Sequence, residues 1–394
     1  MQQQRGAVSQ NVPRVETACR GAAREMGLAQ GEALREKFHA ALPILTELEA
    51  FRLLKPRWMP RPVHQWIAET KGSRFLSRSL PDTLPQAQSR LLGIVEAAGV
   101  STRSLALWNA MEAVLSNLSR TSVVPTGFGC SAVAVTRRSS RNGRPIIGHN
   151  FDFLPIVQPF YTIRSSEPKG KLRSLEFTLA PLGGASDGIN EAGLCIALNY
   201  AFATDGSRPN PTISMWVAEA LASCRTVPEA AEFLAKSKRW GGGLAMLADA
   251  EGCIASLELS STRSALRYPP RDEDRLFHTN RFSQPRMMEV EIHDCAQYSR
   301  LAPQALRDRC VHLSSEFRDA RFRTRLAEAS AWNENDIAEL MSDHGPAGQP
   351  SADSICMHGG YWYTTACIQL LPQQRTMRVA YDTACCAQFA DFDL

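Results

Sequence analysis

Cys130, in this chain of 394 residues, is a candidate for a nucleophile that is activated by cleavage of the chain. It follows Gly129 at the end of a flexible approach, 124–129, and begins the apolar run 130–135, which predicts a buried strand. If the chain were cut before Cys130, that residue would carry both a thiol and a free α-amine. The amine could then serve as the thiol's own base. The alternative is a small packed strand residue, since free cysteine is among the most buried residue types.

An acid follows Cys130 at short range, near the end of a second predicted strand, 145–153. A polar turn containing Arg141-Asn142-Gly143 joins the two strands, and this turn chemistry predicts a hairpin. Because cross-strand neighbours lie about 5 Å apart, the hairpin can bring the Asp152 carboxylate beside Cys130. Aspartate is uncommon in strands, so its presence here favours a functional role. The alternative to that role is an ordinary acid at a turn or a strand edge.

The composition is that of an ordinary globular protein, with 44% hydrophobic and 21% charged residues and a formal net charge of +4. No run of like charges reaches five residues, so a role on nucleic acid or on a membrane surface has no compositional support. The arginines within 318–325 form a local basic patch, which predicts the solvated face of a helix.

Nothing in the sequence predicts membrane insertion or a disulfide framework. No stretch approaches the about 18–20 consecutive apolar residues that span a bilayer. The polar first part of the chain has no apolar signal region, so a cytoplasmic protein is expected. The eleven cysteines are odd in number and scattered, which fits reduced thiols better than disulfides.

Metal and phosphate sites have weak support in the sequence. Cys356 and His358 are two residues apart and Cys385-Cys386 are adjacent, but there is no Cys-x2-Cys pair and no His-Glu-x-x-His helix. The run 241–243 of three glycines lacks the lysine and the spacing of a phosphate-binding loop and reads as a turn. We therefore expect no metal and no cofactor.

The pattern of elements changes once along the chain. The first part, to about residue 122, has helical periodicity, most clearly in 84–98 and 105–118, whereas the proline-broken stretch 56–81 is expected to wrap the surface. From Cys130 onward the period is that of strands. Predicted hairpins cover 130–136 with 145–153, 161–166 with 174–179, 187–199, 244–248 with 253–258, and 364–371 with 376–382; predicted helices cover 214–224, 227–236, 303–309 and 336–343.

These elements predict antiparallel sheets covered by helical layers. We interpret the chain as one catalytic core, 130–394, preceded by a helical N-terminal segment, 1–129. No internal repeat or low-complexity linker divides it further.

The chain resembles the acyl-coenzyme A:6-aminopenicillanic acid acyltransferase family, which is isopenicillin N acyltransferase-like and belongs to the N-terminal nucleophile hydrolase superfamily. The resemblance runs from about residue 18 to the last hairpin. Each matching motif is short, and their order and spacing carry the resemblance. The motifs are Arg24-Glu25-Met26-Gly27, Gly31-Glu32-Ala33-Leu34, Gly129-Cys130-Ser131, Gly148-His149-Asn150-Phe151-Asp152-Phe153, 188–194, 247–252, 278–282 and Ser354-Ile355-Cys356-Met357-His358.

The resemblance implies a four-layer αββα sandwich of the α+β class. It also implies an inactive precursor that cuts itself between Gly129 and Cys130 into two chains, 1–129 and 130–394, which stay associated as a heterodimer. By the same resemblance Cys130 is the nucleophile, Asp152 orients the amine and the thiol, Asn280 donates to the oxyanion, and Asn199 is a second donor. Further candidates for binding substrate are His149, Phe151 and Arg281.

The chain departs from the family at Met357, where many relatives carry an arginine. If that arginine binds an anionic part of the substrate, its loss implies a less anionic substrate, and Arg281 is a candidate replacement.

The leading interpretation is a self-processing cysteine amidohydrolase that cleaves a small N-acyl amide through a thioester on Cys130. The first alternative is an acyltransferase, with acyl-CoA as a co-substrate or an amine as acceptor, because the acyl-enzyme is common to both reactions. The second is an inactive binding or scaffold protein of the same fold, and the third a thiol- or metal-based stress protein. Expected partners are the small-molecule substrate and the chain's own cleaved half, with neither nucleic acid nor membrane; whether the protein forms a homo-oligomer is left open.

Overall fold

The computed structural model describes residues 12–119, 129–206, 209–270 and 272–394. The predicted flexible approach to Cys130, 124–128, lies outside the described residues. Within them the strands are β1 (Val15–Gly21), β2 (Gly129–Val135), β3 (Ile146–Phe153), β4 (Tyr161–Pro168), β5 (Ser174–Leu179), β6 (Asp187–Asn190), β7 (Cys195–Ala201), β8 (Gly242–Ala248), β9 (Ile254–Leu259), β10 (Ser264–Arg267), β11 (Arg275–His278), β12 (Tyr363–Leu371), β13 (Thr376–Ala380) and β14 (Ala390–Asp393).

Most of the helices lie in three parts of the sequence: before β2, between β7 and β8, and between β11 and β12. They are α1 (Ala23–Ala33), α2 (Arg35–Glu47), α3 (Glu49–Leu53), α4 (Arg61–Arg74), α5 (Leu80–Thr83), α6 (Pro85–Ala98), α7 (Thr102–Ser119), α8 (Ile213–Ser223), α9 (Val227–Lys236), α10 (Pro285–Met288), α11 (Leu313–Ala327) and α12 (Glu334–Met341). A π-helical turn, Phe75–Ser79, joins α4 to α5.

The strands form two sheets. The eight-stranded sheet has the order β1-β4-β5-β6-β7-β8-β9-β10, and the six-stranded sheet has the order β11-β2-β3-β12-β13-β14. The predicted hairpins are confirmed as the antiparallel pairs β2–β3, β4–β5, β6–β7, β8–β9 and β12–β13. Because each hairpin joins neighbours in sequence, most of both sheets follows from local turn chemistry.

The two sheets pack face to face, and helices cover the outer face of each. Phe151 of β3 and Met246 of β8 share one apolar cluster between the sheets. On the outside of the eight-stranded sheet, α8 and α9 pack against β8. On the outside of the six-stranded sheet, Phe322 of α11 and Ile337 of α12 pack with Val133 of β2. The result is a four-layer αββα sandwich, which confirms the predicted fold class.

Strands β2 and β3 lie at the centre of this sandwich. Every residue of both strands is buried, because the other sheet covers one face and helices cover the other. Their polar side chains, among them His149 and Asp152, are therefore removed from water. Since buried polar groups need partners, the surrounding elements must supply them.

The prediction of a purely helical N-terminal segment is wrong at β1. This strand pairs in parallel with β4 at the edge of the eight-stranded sheet. Thr17 and Cys19 are buried while their neighbours are more exposed, which is the period of a strand and not of a helix. The segment before Cys130 thus contributes a strand to the same sandwich as the rest of the chain.

The stretch 56–81, expected to wrap the surface, does consist mostly of exposed or half-buried residues, and α4 and the π-helical turn occupy most of it. Pro62 lies in the first turn of α4, and Pro81 in the first turn of α5, where the missing N–H costs nothing. These prolines mark helix starts. Gly72 of α4 lies so close to α7 that an added Cβ would come within 2.8 Å of the Leu107 backbone.

The predicted helix at 303–309 is wrong as well, because only a 3-10 turn, Gln304–Leu306, forms there. The longer α11 follows it, in a stretch whose mostly charged sequence gave little apolar periodicity. Its apolar side is narrow and includes Phe322 and Leu326, four residues apart. This helix matters because it carries a residue of the candidate site.

Candidate active site

Cys130 lies near the beginning of β2 and faces the interior between the two sheets. Its side chain is 1% exposed. It is paired with Phe151 across the β2–β3 hairpin, and the next pair on the same face is Ala132 with His149. Because cross-strand partners share a face, the thiol, the Phe151 ring and the His149 imidazole point to the same side of the sheet.

Two side chains from distant parts of the sequence hold the backbone of Cys130. Its N–H donates to Oδ1 of Asn280 at 2.8 Å, and its carbonyl oxygen accepts from Nη1 of Arg318 at 2.5 Å. Arg318 also donates from Nη2 to the same Asn280 oxygen at 2.9 Å and from Nη1 to Oγ of Ser131 at 2.9 Å. The nitrogen that would become an α-amine after cleavage is therefore fixed by a neutral acceptor that a guanidinium holds in place.

Asn280 lies just after β11, and in the uncut chain its amide oxygen accepts from the Cys130 N–H. The prediction that Asn280 donates to the oxyanion concerns the nitrogen of the same amide group. Its Nδ2 donates to the backbone oxygen of Tyr200 at 2.8 Å. An amide nitrogen carries two hydrogens, so one remains for a developing oxyanion.

Asp152 is placed opposite Gly129, one pair before Cys130 in the β2–β3 register. Its Oδ1 accepts from the Thr364 hydroxyl at 2.6 Å, and its Oδ2 has no hydrogen-bond partner among the described residues. The nearest cation in an ion pair with it is Arg318, whose Nη1 lies 3.9 Å from Oδ2. Burial raises the pKa of Asp152 to about 7, although the Arg318 charge and the Thr364 hydrogen bond lower it.

Gly129 itself is tightly enclosed. A Cβ at this position would come within 2.8 Å of Cε of Met357 and 3.4 Å of Cβ of Asp152. Gly129 is thus packed against the side chains of Met357 and Asp152, with no room for a larger residue. Met357, the departure from the family pattern, is 1% exposed and packs against the bond that the prediction assigns to cleavage.

His149 forms a buried ion pair beside the thiol. Its Nδ1 is 2.7 Å from Oδ1 of Asp187, which begins β6 in the facing sheet, and both side chains are 0% exposed. Burial lowers the pKa of His149, but Asp187, together with the Cys130 thiol, outweighs burial and raises that pKa to about 10. Burial raises the pKa of the Cys130 thiol, and the imidazolium opposes this rise. His149 therefore favours the thiolate at a site that would otherwise suppress it.

Asn199, from β7 of the facing sheet, reaches the same space. Its Nδ2 donates to the Thr279 backbone oxygen at 3.0 Å, and its Oδ1 has no hydrogen-bond partner among the described residues. Together with Cys130 and Phe151 it lines a cavity of about 50 Å³. This volume holds a few water molecules and is too small for a substrate.

A second and much larger cavity lies next to the first. It measures about 590 Å³ and is bounded mainly by α2, α3, α4 and α7, together with residues near the beginning of β12. Met111 lines both cavities and stands between them. The walls are mostly apolar and include Phe51, Ile67, Phe153 and Trp362, with His64 and Lys71 as polar exceptions.

Arg281 is engaged elsewhere. Its guanidinium forms ion pairs with Glu291 at 3.4 Å, Asp294 at 2.5 Å and Glu316 at 2.6 Å. Three carboxylates already neutralise its charge, so the structure does not favour it as a substitute for the arginine that Met357 replaces. Glu291 and Asp294 also group with His312 in a way that could hold a metal ion, but Arg281 supplies the cation there.

Sequence reasoning missed Arg318, the side chain that joins most of the site. The basic run 318–325 predicted a solvated helix face, and that prediction is wrong at this position, where Arg318 is 1% exposed. Arg323 on the same helix is exposed and pairs with Asp319, as predicted for a solvated face. Within the run, Arg318 lies four residues before Phe322, which is buried, and this i, i+4 spacing was the available signal that it faces inward.

A second group of chemistry-bearing side chains lies outside this site. His344, Cys356, His358 and Cys385 place one ligand atom each within 4.8 Å of one another. We call this group the cysteine–histidine cluster. The sequence placed only Cys356 and His358 together, because His344 and Cys385 come from other segments.

Comparison with known families identifies the class to which this fold and site belong. The family model for acyl-coenzyme A:6-aminopenicillanic acid acyl-transferase matches residues 138–354, just over half of the chain. The chain belongs to this family, and the predicted resemblance to it is confirmed. The match begins after Cys130, so the role of that residue rests on geometry.

Several solved structures are similar to this chain at low identity. The Caenorhabditis elegans ortholog of N-acylethanolamine-hydrolyzing acid amidase is 12% identical, with a TM-score of 0.42, over 67% of this chain and 100% of that one. Penicillin V acylase from Agrobacterium tumefaciens is 13% identical, with a TM-score of 0.40, over 67% of this chain and 86% of that one. A mutant of conjugated bile acid hydrolase from Clostridium perfringens is 12% identical, with a TM-score of 0.38, over 67% and 92%.

The comparison with curated proteins finds no significant match. Among the described helices, none is long and apolar enough to cross a membrane.

Proposed function

We propose that this protein is a self-processing cysteine amidohydrolase that cleaves N-acyl amides through a thioester on Cys130. One observation carries the proposal. Asn280 and Arg318 hold the backbone nitrogen and carbonyl of Cys130, while the carboxyl of Asp152 lies opposite Gly129. A packed strand cysteine would need none of these buried polar groups.

The first reaction is the cut between Gly129 and Cys130. The Cys130 thiolate attacks the Gly129 carbonyl carbon, the C–N bond breaks, and the Cys130 nitrogen takes a proton, which leaves a thioester. Water then attacks the thioester, giving a carboxylate on Gly129 and a free thiol on Cys130. Asp152 is the nearest carboxyl to this bond, and with a pKa of about 7 it can exchange a proton near neutral pH.

The second reaction is turnover. The new α-amine, whose ordinary pKa is near ~8, takes the thiol proton, and the thiolate attacks the substrate carbonyl. Asn199 and Asn280 each donate one hydrogen bond to the backbone and keep a second N–H, which supports both as donors to the oxyanion that forms. The α-ammonium returns the proton to the departing amine, and water releases the acyl group as a carboxylic acid.

The large cavity supports an apolar acyl group as the part of the substrate that is recognised. Its volume of about 590 Å³ is within the range of small-molecule sites, and its walls are mainly aliphatic and aromatic.

An acyltransferase differs only in the group that attacks the thioester. The family's description, an acyl-coenzyme A-dependent acyltransferase, supports this second candidate. Product analysis decides between them: a transferase forms a new amide when an acceptor amine is added, whereas a hydrolase forms the free acid at an unchanged rate.

The deciding experiment is the intact mass of the purified protein under denaturing conditions, beside Cys130→Ala and a matched control, Cys195→Ala. Cys195 is also fully buried in the apolar layer between the sheets. We expect two chains in the wild type and in Cys195→Ala, with the larger beginning at Cys130, and one chain in Cys130→Ala. A single uncut wild-type chain would favour the scaffold interpretation.

A series of N-acyl amides of increasing acyl length then tests the large cavity as the acyl site, and we expect kcat/KM to rise with acyl length.

A further inference from the structure

The cysteine–histidine cluster brings four metal-binding groups together, at distances from His358 close to those of a tetrahedral metal site. Nε2 of His358 lies 3.2 Å from Nε2 of His344, 3.3 Å from Sγ of Cys356 and 3.5 Å from Sγ of Cys385. All four atoms fall within 4.8 Å of one another. In a tetrahedral zinc site with Zn–N near ~2.0–2.1 Å and Zn–S near ~2.3 Å, nitrogen atoms are about 3.3 Å apart and a nitrogen and a sulfur about 3.5 Å.

A network of hydrogen bonds accounts for this arrangement poorly. Nε2 of an imidazole either donates one hydrogen or accepts at one lone pair in the ring plane. Here two thiol groups and a second imidazole nitrogen converge on that single atom of His358. One ion at the centre would satisfy all four groups at once.

The other ring nitrogen of His358 is already occupied, as it is in protein metal sites. Its Nδ1 lies 2.7 Å from the hydroxyl of Tyr363. A proton on Nδ1 donated to Tyr363 leaves the Nε2 lone pair free to bind a cation. Such outer partners fix the tautomer and the ring orientation of a metal-binding histidine.

We propose that His344, Cys356, His358 and Cys385 bind one Zn²⁺ per chain. Two imidazoles and two thiolates are the ligand set that zinc takes in closed structural sites. Binding forms two Zn–N and two Zn–S bonds and releases the two thiol protons to solvent, so the filled site is electrically neutral. Four protein ligands leave no open position, and the ion stabilises structure and takes no part in the amide chemistry.

The ion would join three segments beside the candidate active site. His344 follows α12, Cys356 and His358 flank Met357, and Cys385 belongs to the 3-10 turn Ala384–Cys386. The Met357 N–H donates to the Thr364 hydroxyl at 2.8 Å, and that hydroxyl donates to Asp152 at 2.6 Å. Zinc would thus fix the segment that positions Met357 and Thr364 against Gly129 and Asp152.

The test is the zinc content of the reduced full-length protein, measured by plasma mass spectrometry after removal of free metal. We expect one equivalent of zinc in the wild type and in uncut Cys130→Ala, so the outcome does not depend on the proposed amidase activity. The double variant Cys356→Ser/Cys385→Ser should lose it. Cys386→Ser is the matched control, because Cys386 is exposed and adjacent to Cys385 but outside the group of four, and it should keep its zinc.

A second measurement covers the case in which the double variant does not fold. Wild-type protein stripped of zinc and titrated with Co²⁺ should develop the visible d–d absorption of a tetrahedral site with thiolate ligands. Tyr363→Phe should weaken zinc binding about 10–100-fold, the effect expected of an outer-sphere partner. A wild type that neither retains zinc nor takes up zinc or cobalt would overturn the proposal, as would equal zinc in the wild type and a folded double variant.

Discussion

The Cys130 site and the cysteine–histidine cluster lie at opposite ends of one hydrogen-bonded path and are built in opposite ways. At Cys130, buried polar atoms have no hydrogen-bond partner among the described residues: Oδ2 of Asp152, Nε2 of His149 and Oδ1 of Asn199. In the cluster, more neighbours converge on Nε2 of His358 than one nitrogen can bond.

This difference separates a reactive site from a structural one. A buried polar atom without a partner costs free energy, about 1–3 kcal/mol, so it persists where a reaction or a ligand will use it. Lone pairs of nitrogen and sulfur that converge on one point are satisfied by a bound cation. Tyr363, which contacts His358 of the cluster, begins β12, and β12 pairs with β3 of the Cys130 site. The structural region can therefore position the reactive one.

The largest effect should come from Arg318→Met, which removes the charge that organises the Cys130 site. The change removes the arginine donor from the Cys130 carbonyl and from the Asn280 oxygen, which keeps only the Cys130 N–H. It also leaves Asp152 without its nearest cation. Breaking a buried charged network costs about 3–5 kcal/mol. We expect loss of self-cleavage by intact mass and a clear fall in the urea midpoint.

The control for this prediction is on the same helix. Arg323→Met removes an exposed arginine that pairs with Asp319, and it should cut itself at the wild-type rate. Arg318→Lys keeps the charge without the forked geometry and should cut itself more slowly than wild type. Normal cleavage in Arg318→Met would mean that Asn280 alone positions the scissile bond.

The second effect is a pH dependence set by Asp152. Burial raises its pKa to about 7, so the carboxylate is lost as the pH falls below that value. If self-cleavage needs the carboxylate, its rate should fall about tenfold per pH unit below 7 and level off above, because one proton is involved. Asp152→Asn should be slow at every pH. A flat wild-type profile from pH 5 to 8 would contradict the assignment.

The same pKa has a consequence for stability. The carboxyl of Asp152 ionises at an ordinary value of 3.8 in the unfolded chain and at about 7 in the folded one. Between those values the folded protein holds the extra proton, so the contribution of Asp152 to stability falls as the pH rises through that window. Urea unfolding of uncut Cys130→Ala, with and without Asp152→Asn, measures this contribution.

The Cys130 site was largely predictable because its central parts are local in sequence. The Gly129-Cys130 step, the Asn-Gly turn and Asp152 lie within one hairpin, whose register follows from alternation and turn type. Arg318 was not predictable in the same way, because its burial depends on α11 packing against β11 and β2. The direction of the Asn280 amide likewise depends on that arginine, which no local pattern reveals.

The cysteine–histidine cluster shows the same limit more strongly. Cys356 and His358 are local, but His344 and Cys385 arrive by the packing of α12 and of the chain after β13. Spacing rules for zinc find ligands that sit in paired short motifs. Here only one such pair exists, and the other two ligands come singly from separate segments.

A third, smaller effect concerns the reactivity of the thiol. Asp187 holds the pKa of His149 at about 10, and the charged imidazole lowers the pKa of the buried Cys130 thiol. In Asp187→Asn the imidazole should lose its charge at neutral pH, and the thiol pKa should rise. In the mature protein we expect Cys130 to be alkylated more slowly at pH 7 in Asp187→Asn than in the wild type, and the difference between the two should narrow at high pH. Site-resolved mass spectrometry measures the alkylation of Cys130.

Asp205→Asn is the matched control for the thiol prediction. Asp205 lies after β7 and accepts hydrogen bonds from Ser260 and Thr262, away from the imidazole. In Asp205→Asn, Cys130 should be alkylated at the wild-type rate. An unchanged rate in Asp187→Asn would show that the α-amine alone governs the thiol once the chain is cut.

The smallest and most selective effect is expected from Thr364→Val, which removes one hydrogen bond to Asp152 and changes neither Cys130 nor any of the four cluster ligands. The substitution keeps the shape of the side chain but removes the hydrogen bond that lowers the pKa of Asp152. Since a hydrogen bond to a charged group contributes about 1.5–3 kcal/mol, the midpoint of the self-cleavage profile should move up by about 1 to 2 pH units. Zinc content should not change, because Thr364 binds none of the four ligands directly.

Thr365→Val separates this path from general damage to β12. Thr365 is the next residue on the strand, and its hydroxyl contacts the Phe151 carbonyl and the Tyr161 hydroxyl instead of Asp152. The midpoint of the self-cleavage profile should be the same in Thr365→Val as in the wild type. If Thr364→Val left the midpoint unchanged, Asp152 would not set the profile. A loss of zinc in Thr364→Val would mean that a change beside Asp152 alters the arrangement of the zinc ligands.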